Sequence, residues 1–134
     1  MIESIEAAIR ISSSSISAAQ IGALLGVRGS RLVNPKLPQS DARLIVDSSL
    51  SKSEPLERHL SHLCDQLEAI QSALKALPED TEIDIWCVAY SNNEFAGFGL
   101  DGHLMERLSR IPTSLVFSIY AASGEQRDVA VGEN

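Results

Sequence analysis

Hydrophobic and polar residues alternate from the start of the chain. Ile5, Ala7, Ile9 and Ile11 fall on one side of an extended segment and Glu6, Ala8, Arg10 and Ser12 on the other, the pattern of a strand with one buried face. A Ser12-Ser13-Ser14-Ser15 turn follows. A helix then begins at Ser17, with Gln20 three residues on in capping-box position and Ile16, Ile21, Leu24, Leu25 and Val27 as its apolar face. Gly26 is placed to end it in the left-handed conformation. From Arg28 to Ser40 the steps Asn34-Pro35 and Leu37-Pro38 forbid regular structure, which predicts a loop. A short strand is expected over Ala42–Ser48, with Leu44 and Val46 opposite Ile45.

The longest periodic stretch runs from Glu54 to Leu77. Leu56, Leu60, Leu63, Leu67, Ile70, Leu74 and Leu77 recur at alternating spacings of four and three, a helix with one narrow apolar seam. Ser53 is its expected cap, Pro55 is tolerated in its first turn, and Pro78 stops it. Such a seam packs on its own sheet or pairs two copies into a homodimer. A strand follows over Thr81–Ser91, with Ile83, Ile85, Cys87 and Ala89 alternating against Asp84, Trp86, Val88 and Tyr90. Asp101 caps a third helix with Leu104, Met105, Leu108 and Ile111, ended by Pro112, and a last strand spans Ser114–Ala121.

The positions Ile16, Ser17, Ile21, Leu24 and Val27 map at one constant offset onto Leu100, Asp101, Met105, Leu108 and Ile111. Two βαβ halves joined by a long helix are therefore expected. This is an α+β fold in the order βαβαβαβ, a four-stranded sheet with three helices, ferredoxin-like with an inserted helix. One domain over residues 1–122 and a flexible tail over 123–134 complete the expectation.

Composition narrows the class. The 134 residues are 44% hydrophobic and 22% charged, enough for a packed core, and 11 Lys+Arg against 18 Asp+Glu give a formal charge of −7. That sign disfavours nucleic acid or a membrane surface as partner. No apolar run reaches the roughly 20 residues of a membrane span. The acidic start Met1-Ile2-Glu3-Ser4-Ile5-Glu6 is unlike a signal peptide, and Cys64 and Cys87 make no disulfide framework, so a cytoplasmic protein is expected. The charge is uneven: residues 54–106 carry eleven acids against Arg58 and Lys75, whereas Arg28, Arg31, Lys36 and Arg43 cluster early.

Few motifs carry chemistry. Gly26-Val27-Arg28-Gly29 has the form of a KH-domain loop, but the prolines break the second helix that loop requires, and the glycines are better read as a helix stop and turn. Phe95 to Leu100 lacks the basic residue of an RNA-stacking strand, and no Gly-Lys-Ser/Thr follows Gly26 to make a phosphate loop. His59, His62, Cys64 and Asp65 spread around one helix and cannot converge on an ion, so no metal or cofactor is expected. No nucleophile elbow and no Cys–His pairing is present, which disfavours an enzyme.

Three stretches are similar to the bacterial domain-of-unknown-function family 4279. They are Ile16-Ser17-Ala18-Ala19-Gln20-Ile21-Gly22-Ala23-Leu24-Leu25-Gly26-Val27, the seamed helix 56–77, and the run from Ile83 through Gly97-Phe98-Gly99-Leu100-Asp101 to Ile119-Tyr120. The resemblance covers roughly residues 5–122 and rests on core and cap positions. Ala42-Arg43-Leu44 stands where such members carry a tryptophan. The resemblance implies a fold and brings no activity with it.

Function is therefore expected on the second face of the sheet. Glu79, Asp80, Glu82, Asp84, Trp86, Tyr90 and Tyr120 make an acidic, aromatic surface suited to a basic protein partner. The sharpest expectation is a non-enzymatic immunity protein that blocks a basic, nuclease-like toxin by direct binding. The alternative is an anionic small-molecule ligand, or a small enzyme, with its pocket at Arg28, Arg31, Lys36 and Arg43.

Overall fold

Twelve residues of alternating pattern make β1 (Ile2–Ser13), long enough to serve two neighbours at once. It pairs antiparallel with β3 (Ala42–Asp47) on one side and with β4 (Glu82–Ser91) on the other. The structure, a computed structural model, describes residues 2–29, 31–33, 41–91, 99–111, 113–121 and 126–131. Beyond β3 lies β2 (Arg31–Val33), and beyond β4 lie β5 (Ser114–Ala121), parallel to it, and β6 (Gln126–Val131), antiparallel to β5. The result is one mixed sheet in the order β2-β3-β1-β4-β5-β6.

This architecture overturns the four-stranded, three-helix, βαβαβαβ expectation. Among the described residues the sheet has six strands, and four helices accompany it: α1 (Ala18–Leu25), α2 (Leu56–Ala69), α3 (Gln71–Leu74) and α4 (Gly102–Ser109). Two causes are physical. β2 hides in the stretch read as loop because its three residues end just before the prolines. The first half is thus a strand, a helix and a hairpin, not a βαβ unit, whereas β4-α4-β5 is one with a parallel pair. At the other end, β6 occupies part of the segment expected to be a flexible tail, with Val129 and Val131 in register with Phe117 and Leu115. Polar neighbours mask that short alternation.

The helix signals match the local geometry. Ser17 and Gln20 form the reciprocal capping box of α1, and Gly26 closes it at φ 68°. Asp101 Oδ1 accepts from the Leu104 amide at 2.7 Å at the start of α4. The long helix differs. Pro55, at φ −66° and ψ 156°, is its N-cap, while Ser53 bonds to Ser51 instead. The helix also breaks at Ile70, whose amide reaches back only to Leu67, and α3 resumes beyond it. That break turns Ala73, Leu74 and Leu77 onto the edge of the core.

All four helices lie on the same face of the sheet. Ile9, Ile11, Leu44, Ile85, Cys87 and Phe117 meet Ile21 and Leu25 of α1, Leu56, Leu60, Leu63 and Leu67 of α2, and Leu104 of α4 in one core. Leu60, Leu63 and Leu67 are 0% exposed, so the seam is spent on the chain's own sheet and could pair with a second copy only if the core opened. Burying each such leucine contributes about 1.5–3 kcal/mol.

Candidate functional site

Strand alternation leaves the opposite face of the sheet free of described helices. It carries Glu6, Ala8 and Arg10 of β1, Ile45 and Asp47 of β3, the even-numbered stripe Glu82, Asp84, Trp86, Val88 and Tyr90 of β4, and Ser118 and Tyr120 of β5. Register sets the neighbours: Arg10 stands opposite Asp84, Ala8 opposite Trp86, and Tyr90 opposite Tyr120.

Small residues between large ones let the side chains lie across the face. Arg10 clasps Asp84 with two bonds, Nε to Oδ1 at 2.6 Å and Nη2 to Oδ2 at 3.0 Å, while its guanidinium lies 5.2 Å from the Trp86 ring centroid. Trp86 Nε1 donates to Ser118 Oγ at 3.1 Å. Tyr90 and Tyr120 stack with centroids 5.3 Å apart and planes at 21°, and Tyr90 is 39% exposed.

One end of this face deepens into a cleft of about 450 Å³. It forms because β3 stops at Asp47 while β1 runs on, and residues 48–52 follow β1 loosely, through Ser48 N–H to Ala7 O and Ile5 N–H to Lys52 O. Glu6, Arg31, Asp47, Ser49, Lys52, Trp86 and Val88 are among its lining residues. Lys52 Nζ sits 3.1 Å from Glu6 Oε1, the lysine largely and the glutamate partly in solvent, a pair of little energetic weight. Ser49 holds φ at 63°, a left-handed conformation that costs a non-glycine residue roughly 1–2 kcal/mol.

His59 of α2 closes the cleft from beneath. Its Nδ1 shares a 2.6 Å hydrogen bond with Ser48 Oγ, and the two residues are 1% and 3% exposed. Burial pushes the imidazole pKa below its ordinary value, against the weaker raising pull of the Ser51 and Glu54 carbonyls. Those carbonyls lie near the ring, yet Nε2 closes no hydrogen bond. The Ser48–His59 bond ties the 48–52 segment to the helix layer.

The residues expected to bind a partner are partly brought together. Trp86, Tyr90 and Tyr120 share the open face with Glu82 and Asp84. Asp84 is taken up by Arg10. Asp80 anchors the serine turn, accepting from the Ser14 amide at 2.8 Å and from the Ser13 and Ser14 hydroxyls, which holds its carboxyl down at about 2. Glu79 and Glu82 remain exposed. The expected anion cluster is divided between the two faces. Arg31 lines the cleft, Arg43 Nε donates to Ser12 Oγ at 3.2 Å, Arg28 lies on the helix side, and Lys36 falls outside the described residues. Ser48 was not singled out from the sequence and His59 was weighed only as a metal ligand, because only the loop after β3 brings the two together. His59 and Cys64, next to Leu60 and Leu63 of the seam, are both buried.

Among the described residues no helix is long and apolar enough to cross a membrane. No curated protein and no solved structure shows a significant match to the chain. The family described as Domain of unknown function (DUF4279) matches residues 3–122, and the chain belongs to that family.

Proposed function

We propose that this DUF4279 member is a non-enzymatic protein-binding module that docks a basic partner on the helix-free sheet face. In its sharpest form it is a cytoplasmic immunity protein that neutralises a basic, nuclease-like toxin by occupying its substrate groove. The observation that carries the reading is the Tyr90–Tyr120 stack, with Tyr90 exposed and Tyr120 half-buried, on the same sheet face as Trp86, a face that no described helix covers. Rigid aromatic side chains supply contact area at low entropic cost and dominate interface energies. The net charge of −7 supplies long-range steering toward a cationic surface.

The test is capture of partners from the source lysate at low and high salt by the wild type and by the Tyr90→Ala/Tyr120→Ala variant. A stoichiometric basic protein that salt releases, and that the folded variant loses, supports the proposal. Equal capture by both, or none by either, refutes it. A second reading, an anionic small molecule in the 450 Å³ cleft, rests on Arg31 in its lining, against the carboxylates Glu6 and Asp47. It predicts thermal stabilisation by small phosphates or dicarboxylates that Arg31→Gln abolishes.

A further inference from the structure

A second cleft lies on the helix side of the sheet, remote from the face just described. It runs between the end of α1 and the C-terminal half of α2 and holds about 300 Å³. Half-buried Val27, Val46 and Ile70 give it its accessible apolar lining, while Ile9 and Ile11, 1% and 0% exposed, lie sealed beneath. Only two of its lining side chains are polar, Arg28 and Gln66. Arg28 is exposed and so stands at the mouth. Gln66 is the unusual member. Its Nε2 reaches only to 3.5 Å from His62 Nε2, while its Oε1 is out of solvent with no hydrogen-bond partner. A half-turn of the carboxamide exchanges the two ends at almost no steric cost. Oε1 then accepts from the His62 ring N–H, and Nε2 becomes the free donor.

An apolar slot with one half-buried carboxamide and one guanidinium at its rim matches an amphiphile with an anionic head. We infer that this cleft binds an amphiphilic carboxylate, its hydrocarbon body on Val27, Val46 and Ile70 and its head between Arg28 and Gln66. Size limits the ligand. An apolar cavity of about 150 Å³ accepts a six-carbon ring, so 300 Å³ has room for roughly a dozen non-hydrogen atoms, the size of decanoate. A carboxylate recognised by charge-assisted bonds from guanidinium and amide is distinguished from an alcohol of the same chain length. The site is independent of the docking reading, since it lies on the other layer and uses none of its residues.

Titration of the full chain with decanoate, 1-decanol and decyltrimethylammonium, followed by methyl NMR and calorimetry, tests the inference. Decanoate is expected to bind saturably at one site, shifting the Val27, Val46 and Ile70 methyl resonances, with 1-decanol at least about tenfold weaker and the cation weaker still. Arg28→Gln, at an exposed position, is expected to erase the preference for decanoate over decanol. Ala69→Phe, which fills the slot from its exposed rim, is expected to abolish binding while circular dichroism stays native. Absence of saturable decanoate binding at millimolar concentration overturns the inference, as does equal binding of decanol, or a preference for decanoate that survives Arg28→Gln.

Discussion

Replacing Ser48 by alanine tests the loop that shapes the sheet-face cleft. The hydroxyl forms a 2.6 Å bond to His59 Nδ1, and neither residue reaches solvent. Removal leaves the ring with a second unpartnered nitrogen, since Nε2 already has none. A buried polar group stripped of its partner costs about 1–3 kcal/mol. For a chain of this length one kcal/mol moves Tm by about 4 °C, so Ser48→Ala should lower it by roughly 4–12 °C. Urea unfolding at pH 8 measures the loss directly. The Ser48→Ala/His59→Leu double variant should recover part of it, because apolar groups replace both partners. Linkage adds a second readout. The folded ring has a pKa below the ordinary 6.5, so at lower pH the unfolded chain takes up a proton that the native ring resists. Stability from this group is therefore complete above pH 6.5, declines as pH falls below it, and levels off once the folded ring also charges. His59→Leu should remove that component of the slope. A Ser48→Ala cost under about 0.5 kcal/mol, or an unchanged slope in His59→Leu, would falsify the assignment of a load to this pair.

Three further outcomes follow from the packing. Leu63→Ala empties a fully buried site facing the sheet and should cost about 2.7–5 kcal/mol in urea unfolding, with no change in mass by light scattering; dissociation of a dimer instead would restore the seam as an interface. Asp80→Asn should flatten the acid limb of stability: a carboxyl near 2 when folded, against an ordinary 3.8, stabilises fully above pH 3.8 and loses its effect as pH falls toward 2, and an unaltered acid limb contradicts this. At Gly29 an added methyl would meet Leu44 Cδ1 at 2.2 Å and the Ile45 carbonyl oxygen at 3.1 Å, so Gly29→Ala should cost roughly 1–3 kcal/mol; a neutral result by thermal melting would mean that this crossing is looser than the structure has it.

Much of the local structure was legible because its signals are short-range. The Ser17/Gln20 box, the Gly26 stop and the Asp101 cap each lie within a few residues of the group they satisfy, and alternation along residues 5–12 and 83–89 separates the two faces correctly. Strand order was not legible, because nothing local states that β1 takes β3 and β4 on its two sides. The repeat between Ser17 and Asp101 shows the limit. Both caps are real, yet Leu24 and Met105 are exposed, and one helix leads into an antiparallel hairpin while the other links parallel strands. Matching caps and apolar spacings describe a helix, not its neighbours.

The same distinction governs the candidate interface. Counting acids along residues 79–84 gives four carboxylates for a partner, but two of them close on residues 66 to 74 positions away, Asp80 on Ser14 and Asp84 on Arg10. On the helix layer Arg107 likewise spans Asp65 at 2.6 Å and Glu68 at 2.9 Å. Internal pairing leaves the net charge of −7 unchanged and removes these groups as contacts. Steering and holding therefore fall to different residues. The field that draws in a cation belongs to the whole molecule and to unpaired acids such as Glu79 and Glu82, so neutralising those two should slow association and weaken its salt dependence. Residence time rests on the Tyr90–Tyr120 stack and on Trp86, which Ser118 and Arg10 hold in place across three strands. Loss of the tyrosines should thus speed dissociation at an on-rate that stays near wild type.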